Sequence, residues 1–161
     1  MIYKLSDLNR KNFKAIEFYH SDIAIKNKID NQPKEQATLE NLDILADKMQ
    51  EVRDLLKSPI IITSGYRCLD LNMKLTNSAK DSFHLYGLAA DFIVKNKSAE
   101  EVVKFLSNEI SADKVIATHY KKNNRNSQWV HLQVQSNWKE NRNLFLGEVI
   151  TDDGTNYRKI Q

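Results

Sequence analysis

Apolar residues recur at steps of three and four through the segment that follows Pro33. The stripe consists of Leu42, Leu45, Met49, Val52 and Leu56. This spacing is typical of one buried face of an α-helix. Proline is tolerated in the first turn of a helix, where its missing N–H would have no partner, and Pro59 follows the last apolar position. The pattern therefore predicts a helix that begins at Pro33 and ends before Pro59.

Short runs of β-branched and other apolar residues, bounded by turn-forming residues, predict strands in the second part of the chain. The predicted strands cover residues 60–63, 89–94, 114–120 and 129–135. In the last strand, apolar residues alternate with polar or aromatic ones, so one face of that strand is apolar. The polar segment 121–128 is typical of a hairpin turn between the last two strands.

Two further helices are predicted between the strands. Residues 70–75 are expected to form a short helix. Ser98 and Glu101 have the spacing of a capping box, and a helical stripe follows them. That stripe consists of Val102, Phe105, Leu106 and Ile110. Residues 1–30 show no clean period and are expected to form short helices and loops, while the tail from Asn137 carries no assignment.

No repeat or linker divides the sequence, so residues 1–161 are predicted to form a single domain. Within it we distinguish an N-terminal helical part at 1–58, a core with the candidate chemistry at 59–135 and a C-terminal tail at 136–161. A chain of this length can bury a core without disulfides. Its one cysteine, Cys68, has no partner for a disulfide within the chain.

The charge balance argues against nucleic acid as a partner. Lys and Arg number 24 against 21 Asp and Glu, which gives a formal net charge of +3, and the basic residues form no patch in the sequence. Residues 1–10 lack the apolar segment of a signal peptide, and no stretch approaches the roughly 20 apolar residues of a membrane helix. We therefore expect no signal peptide, no membrane contact and no nucleic-acid partner.

Two histidines and one aspartate are candidates for a metal site. His84 and Asp91 flank Gly87, where a turn can fold the segment back on itself. His131 alternates with the apolar residues of its strand, so it faces a cleft or solvent. Two imidazoles and one carboxylate suit zinc and leave a fourth position for water. A lone histidine in a strand is more often a surface residue than a ligand, so spacing alone leaves both interpretations open.

Three blocks of the sequence, in this order, resemble those of the zinc D-alanyl-D-alanine carboxypeptidases and of the related phage L-alanyl-D-glutamate endopeptidases. The blocks are Ser64-Gly65-Tyr66-Arg67, Ser82-Phe83-His84 with Gly87, Ala89 and Asp91, and Trp129-Val130-His131. Residues 21–24, the helix before residue 60 and the pair 141–142 are also similar to the phage branch. The resemblance extends over residues 5–145, and these peptidases share their fold with the hedgehog signalling domain.

The resemblance implies an α+β fold, with a small antiparallel sheet, helices on one face and a zinc cleft on the other. It implies that His84, Asp91 and His131 bind Zn²⁺. It also implies that Arg67 binds a carboxylate of the substrate, a task that suits a planar guanidinium. Ser82 would orient the substrate through a hydrogen bond.

The sequence departs from the resemblance at the general base, the carboxylate that takes a proton from the attacking water. In one branch the acid lies three residues before the last histidine, and this chain has Gln128 at that position. In the other branch the acid ends the preceding strand, and this chain has Thr118 there. Neither side chain is a base near neutral pH, whereas histidine is one, and His119 is the next residue. His119 and Gln128 are therefore the candidate catalytic positions, and His119 is the candidate base provided that it shares the face of His131.

The resemblance implies a zinc metallopeptidase of the carboxypeptidase or endolysin type that hydrolyses stem peptides of peptidoglycan. Its setting would be a phage, either in the host cytoplasm before lysis or in the virion, with other virion proteins as partners. The bond that is cut, the oligomeric state and the delivery to the wall stay open. The alternatives are a zinc-retaining module that binds the cell wall and a virion structural component, with hydrolysis weak or lost.

Overall fold

A six-stranded mixed sheet forms the centre of the computed structural model, which describes residues 2–75 and 78–160. Its strands are β1 (Ile60–Ser64), β2 (Ala89–Val94), β3 (Lys114–Lys122), β4 (Arg125–Gln133), β5 (Leu144–Thr151) and β6 (Gly154–Lys159). Their spatial order is β1-β2-β4-β3-β5-β6. Neighbours are antiparallel except β3 and β5, which run parallel. The α+β class is confirmed, and the expectation of a purely antiparallel sheet is wrong.

Within the described residues, four α-helices accompany the sheet. They are α1 (Asp22–Lys26), α2 (Gln36–Leu56), α3 (Leu69–Lys74) and α4 (Ala99–Leu106). Short 3₁₀ helices lie at Leu5–Leu8, Ala15–Phe18, Phe83–Tyr86 and Trp138–Glu140. The predicted long helix is confirmed, although it begins at Gln36 rather than at Pro33. No helix in this part of the chain is long and apolar enough to cross a lipid bilayer.

The predicted capping box begins α4. The Oγ of Ser98 accepts a hydrogen bond from the N–H of Glu101 at 3.2 Å, and the carboxylate of Glu101 accepts one from the N–H of Ser98 at 2.8 Å. The predicted apolar stripe is only partly correct, because the helix ends before Ile110 and Phe105 is 42% exposed. The buried residues of the helix are Ala99, Val102, Val103 and Leu106.

The hydrophobic core lies between one face of the sheet and the helices α2 and α4. Side chains from every strand except β6 contribute to it, among them Ile60, Phe92, Val115, Val130, Leu132 and Phe145. Phe13 and Phe18 of the N-terminal part belong to the same cluster. Because the neighbours of His131 point into this core, His131 itself points to the opposite face of the sheet.

The hairpin between β3 and β4 turns at Asn123 and Asn124, not over the whole predicted segment 121–128. Both asparagines have positive φ angles, 53° and 59°, as two-residue turns that match the strand twist require. Asparagine adopts this conformation more readily than most residues. The strands therefore continue through polar residues up to the turn, and their register pairs His119 with Gln128.

The tail after β4 adds β5 and β6 to the sheet. The backbone N–H groups of Asn143 and Leu144 donate to the carbonyl oxygens of Ala112 and Asp113. The chain has therefore returned to the start of β3 before β5 begins, which makes these two strands parallel. The predicted boundary at residue 135 consequently falls between strands of one sheet, and the division of the chain into parts stays a prediction.

Candidate metal centre and cleft

His84 lies on the 3₁₀ helix Phe83–Tyr86, just before β2. The Oγ of Ser82 caps this helix by accepting a hydrogen bond from the N–H of His84 at 3.4 Å. Gly87 ends the helix with a φ of +72°, a value that glycine adopts without strain. A Cβ at this glycine would lie 2.8 Å from Cγ of Leu42 in α2. The second motif therefore fixes the position of His84, which is buried.

Gly65 lets the first motif pass close to the N-terminal part of the chain. A Cβ at this position would lie 2.1 Å from the carbonyl oxygen of Phe18, and the N–H of Tyr66 donates to that same oxygen at 2.7 Å. The carbonyl oxygen of Gly65 lies 2.8 Å from Nδ1 of His84. Since a carbonyl oxygen only accepts, Nδ1 carries the proton and Nε2 is left for a ligand.

Asp91 and His131 lie opposite each other on β2 and β4. Oδ1 of Asp91 lies 2.8 Å from Nδ1 of His131, and Oδ2 lies 3.4 Å from Nε2 of His84. One potential ligand atom from each of the three residues lies within 4.8 Å of the other two. The structure thus brings the three predicted ligands together into one group, which we call the metal group.

The other nitrogen of His131 is held by an amide. Nε2 of His131 lies 3.0 Å from Oε1 of Gln133, whose Nε2 donates to Oδ2 of Asp113 at 2.5 Å. The amide oxygen only accepts, so Nε2 of His131 carries the proton and Nδ1 faces Asp91. Both histidines therefore donate from one nitrogen and turn the other toward Asp91, as metal-binding histidines do. Two imidazoles and a carboxylate in this arrangement fit Zn²⁺ with a fourth position open.

The ionisation of the metal group suits a cation. Burial lowers the pKa of His84. Burial acts in the same direction on His131, but the hydrogen bond to Asp91 outweighs it and raises the pKa of His131. Burial alone would raise the pKa of Asp91, whereas the two histidines hold it well below its usual value. Asp91 is therefore an anion near neutral pH, and a proton or a metal cation can bridge it to His131.

Arg67 is held at the edge of the metal group by two hydrogen bonds. Its Nη2 lies 3.1 Å from Oδ2 of Asp91, and its Nε lies 3.0 Å from Oγ of Ser64. The side chain is 13% exposed, and burial lowers the pKa of Arg67, but a guanidinium remains protonated in proteins. The group is thus charged and oriented, as binding a carboxylate requires. The substrate role of Arg67 stays a prediction, as does that of Ser82.

A cleft of about 530 Å³ extends from Arg67 across the sheet. Its lining includes Tyr120, Trp129, Glu148 and Tyr157. The rings of Tyr120 and Trp129 lie against each other with their centroids 6.3 Å apart. This volume is within the range of pockets that bind small ligands, so a short peptide has room beside Arg67.

His119 and Gln128 lie on the opposite face of the sheet. They pair with each other across β3 and β4, next to the pair of Thr118 and Trp129, and successive side chains of a strand point to opposite faces. Oε1 of Gln128 accepts a hydrogen bond from the N–H of Ala99 at the start of α4, at 2.8 Å. The register therefore contradicts the predicted catalytic roles of His119 and Gln128, because both side chains point away from the metal group.

Three polar residues near the metal group and the cleft were missing from the predicted set. Gln133 follows His131 by two positions, so its place on the same face of the strand was a usable signal. Asp113 and Glu148 gave no local signal, since their partners come from distant parts of the chain. Oε2 of Glu148 accepts a hydrogen bond from Oγ1 of Thr118 at 2.7 Å.

Comparison with known proteins agrees with this geometry. The family model described as Peptidase M15 matches residues 11–133, a range that contains all three sequence blocks and every residue of the metal group. This match confirms the resemblance to the zinc D-alanyl-D-alanine carboxypeptidases. No curated protein matches the chain. Because the matched range covers most of the 161 residues, the chain belongs to the Peptidase M15 family of metallopeptidases.

Proposed function

We propose that this chain is a zinc-dependent peptidase that hydrolyses stem peptides of peptidoglycan. The observation that carries the proposal is the metal group itself, in which His84, Asp91 and His131 converge. Each histidine is fixed in the tautomer that leaves a nitrogen free for a cation. Membership of a metallopeptidase family supports the same function.

Different residues of the chain would bind the metal, bind the substrate and enclose the reaction site. Zinc held by His84, Asp91 and His131 would polarise the scissile carbonyl and lower the pKa of a water molecule. Arg67, held by Ser64, would bind a carboxylate of the stem peptide through its guanidinium. The walls of the cleft would exclude bulk water and orient the peptide.

Ser82 supports the ligand His84, and we propose that it also contacts the substrate. Its Oγ accepts from the N–H of His84, so it supports the helix that positions this ligand. A hydroxyl can donate while it accepts. We therefore keep Ser82 as a proposed substrate residue that donates a hydrogen bond to the peptide.

A bacteriophage is the proposed setting, on the similarity of the motifs to the phage branch. The peptidase would act on the wall from the virion or after release at lysis. Other virion proteins are proposed partners in the first case. The two candidate bonds, D-Ala-D-Ala and L-Ala-D-Glu, give different products, because only the first releases free D-alanine.

The test measures zinc and hydrolysis in the same preparations. The parent should hold close to one zinc per chain by elemental analysis and should release amines from purified stem peptides. His84→Ala and His131→Ala should lose most of both, since a site with three protein ligands has no spare one. His20→Ala is the matched control, because His20 bonds to Asp22 at the surface and should keep both properties. Stoichiometric zinc in both ligand variants would contradict the proposal.

The second candidate function is a wall-binding module that keeps zinc without hydrolysis. Thr118 favours it, since the resemblance expects a glutamate at this position. This candidate predicts that the parent binds zinc and stem peptides but releases no amine from them.

A further inference from the structure

Glu148 lies on the same face of the sheet as the metal group. It pairs with Thr118 in the parallel ladder of β3 and β5, and with Tyr157 in the ladder of β5 and β6. Thr118 in turn pairs with Trp129 of β4. Residues that lie directly opposite in neighbouring strands point to the same face. These four side chains therefore form one row across the sheet, on the cleft face.

This row is adjacent to the row that contains the metal group. His131 is two residues from Trp129, which corresponds to roughly 7 Å along a strand. Arg67, whose Nη2 lies 3.1 Å from Asp91, lines the same cleft as Glu148. The cleft thus extends from Arg67, which contacts Asp91 of the metal group, to this carboxylate.

A hydrogen bond from Thr118 holds the carboxylate of Glu148 in place. Oγ1 of Thr118, a residue that is 1% exposed, donates to Oε2 of Glu148 at 2.7 Å. Tyr157 lies opposite Glu148 in the ladder of β5 and β6, and its interaction with this carboxylate, together with burial, raises the pKa of Tyr157 to about 12. The carboxylate therefore lies just beyond the short side chain of Thr118. A longer acidic side chain at position 118 would place its own carboxylate in the same space.

Among the described residues, two carboxylates line this cleft, Glu148 and Asp152. Asp152 lies at the turn between β5 and β6, and its Oδ1 accepts from the N–H of Asn123 in the neighbouring turn at 3.3 Å. That turn is at the far end of the sheet from the metal group. Glu148 is thus the carboxylate of the cleft that is nearer to the metal group.

We propose that Glu148 is the general base of this peptidase, supplied by β5 in place of an acidic residue on β3. This role rests on the proposed function. The oxygen of one water molecule bonds to the carbonyl carbon of the scissile amide, and Glu148 accepts the proton that the water gives up. As the C–N bond breaks, its electron pair stays on nitrogen and Glu148 passes the proton to that nitrogen. The products are an acid and an amine, and the carboxylate is regenerated.

Thr118 and Tyr157 are positioning residues in this arrangement. Thr118 directs the carboxylate through its hydroxyl group, and Tyr157 lies next to the carboxylate on β6. Because Thr118 is bonded to Glu148, it is part of the catalytic arrangement rather than a sign of lost activity.

The first test compares Glu148→Gln with the same change at Glu51 of α2. Glutamine keeps the shape and still accepts from Thr118, but it cannot take a proton. Glu148→Gln should lower kcat roughly 10²–10⁴-fold, the usual contribution of a positioned base, with zinc content and KM near the parent values. Glu51→Gln should keep the parent kcat, because Glu51 lies outside the cleft and bonds to Lys48. The pKa of Tyr157 should fall in zinc-free Glu148→Gln, as measured by NMR titration, because the neighbouring negative charge is lost.

The second test moves the carboxylate back to β3. The double variant Thr118→Glu with Glu148→Gln should recover at least tenfold of the lost kcat, because the new carboxylate occupies the space beside residue 148. A purely structural role for Glu148 predicts no recovery, since the new side chain restores no contact between β3, β5 and β6.

The outcomes distinguish a failure of the proposed base from a failure of the proposed function. If the parent hydrolyses stem peptides and Glu148→Gln has the same kcat, Glu148 is not the base, and the proposed function remains supported. An equal loss in Glu51→Gln would also contradict the role of Glu148 as the base, because the effect would not be specific to Glu148. A parent that holds zinc without any hydrolysis would overturn the function and the base together.

Discussion

At the metal group, the two histidines present different nitrogens to a ligand. His84 donates from Nδ1 to the carbonyl oxygen of Gly65, whereas His131 donates from Nε2 to the amide oxygen of Gln133. Each of these bonds fixes the orientation of the ring and its tautomer, because the acceptor has no proton to give. The site is therefore specified by two oxygen atoms that would not touch the metal themselves.

The proposed contact between the guanidinium of Arg67 and the substrate can be tested by a single substitution. Arg67→Lys should lower kcat/KM for stem peptides about 10–100-fold, because hydrogen bonds to a charged group contribute about 1.5–3 kcal/mol and an ammonium lacks the planar fork. Zinc content should stay at the parent value. Steady-state kinetics and elemental analysis measure the two effects.

Arg125→Lys is the matched control for this substitution. Arg125 is an exposed residue at the start of β4, and the change should leave kcat/KM unchanged. If Arg67→Lys also keeps the parent kcat/KM, then Arg67 only supports Asp91 and has no part in substrate binding.

At the scale of elements, the loop from β1 to α3 depends on a close approach of two backbones. Gly65 lies against Phe18, at the end of the 3₁₀ helix Ala15–Phe18, and its own carbonyl oxygen holds the ring of His84. The same loop is fixed by Asn31, whose side chain bonds to the backbone of Tyr19, Tyr66 and Cys68. The N-terminal segments thus support the metal group without contributing a ligand.

Gly65→Ala should therefore affect both stability and metal binding. The added Cβ would lie 2.1 Å from a backbone oxygen, so the loop must move, and overpacking of this kind costs about 1–3 kcal/mol or more. Urea unfolding should show this loss, and zinc affinity should fall because the partner of His84 is displaced. Both measurements are made on the same purified variant.

Gly147→Ala is the control, because a Cβ at Gly147 can be accommodated by the movement of a flexible side chain. The atoms nearest to its added Cβ belong to the side chain of Arg158, the first of them at 3.2 Å, and that side chain can shift. The free energy of unfolding should stay within about 1 kcal/mol of the parent, the usual range for alanine against glycine in a strand. Equal losses in both variants would show that the contact with Phe18 does not matter.

At the scale of the whole molecule, one ion pair connects the tail to the rest of the sheet. Asp113, which is fully buried, precedes β3, and Arg142 precedes β5. Nε and Nη2 of Arg142 bond to the two carboxylate oxygens at 2.8 and 2.7 Å. Burial alone would raise the pKa of Asp113, but the bonds from Arg142 and Gln133 hold it well below its usual value. The pair therefore fastens β5 beside β3, where Glu148 meets Thr118.

The pH dependence of stability should show this contribution in zinc-free protein. Because the folded pKa of Asp113 lies below the unfolded value of about 3.9, its stabilisation is complete well above pH 4. It is lost as the pH falls through the folded pKa. Asp113→Asn should lower the free energy of unfolding by about 1–3 kcal/mol at neutral pH. The difference from the parent should shrink in acid, as followed by urea unfolding at a series of pH values.

The exposed Asp22 provides the comparison, since its side chain is 95% exposed. Asp22→Asn should change the free energy of unfolding by no more than about 0.5 kcal/mol at any pH. A constant difference between the parent and Asp113→Asn from neutral to acid pH would contradict the assigned ionic contribution.

Local patterns in the sequence determined the elements and the metal group. The stripe of α2, the capping box of α4 and the alternation in β4 each depend on residues within a few positions of one another. The motif blocks placed His84, Asp91 and His131 correctly in one group, because a turn at Gly87 and an antiparallel pair of strands leave little freedom. Family membership followed from the same blocks.

The tertiary structure alone decided which polar residues accompany that group. A two-residue turn at Asn123 and Asn124 set the register of β3 and β4, and a shift of one residue moves every side chain to the other face. That register put His119 and Gln128 beside α4. The parallel pairing of β3 with β5 brought Glu148 to Thr118, and no local pattern encodes it, because the two strands meet only after β4 and the tail have folded back.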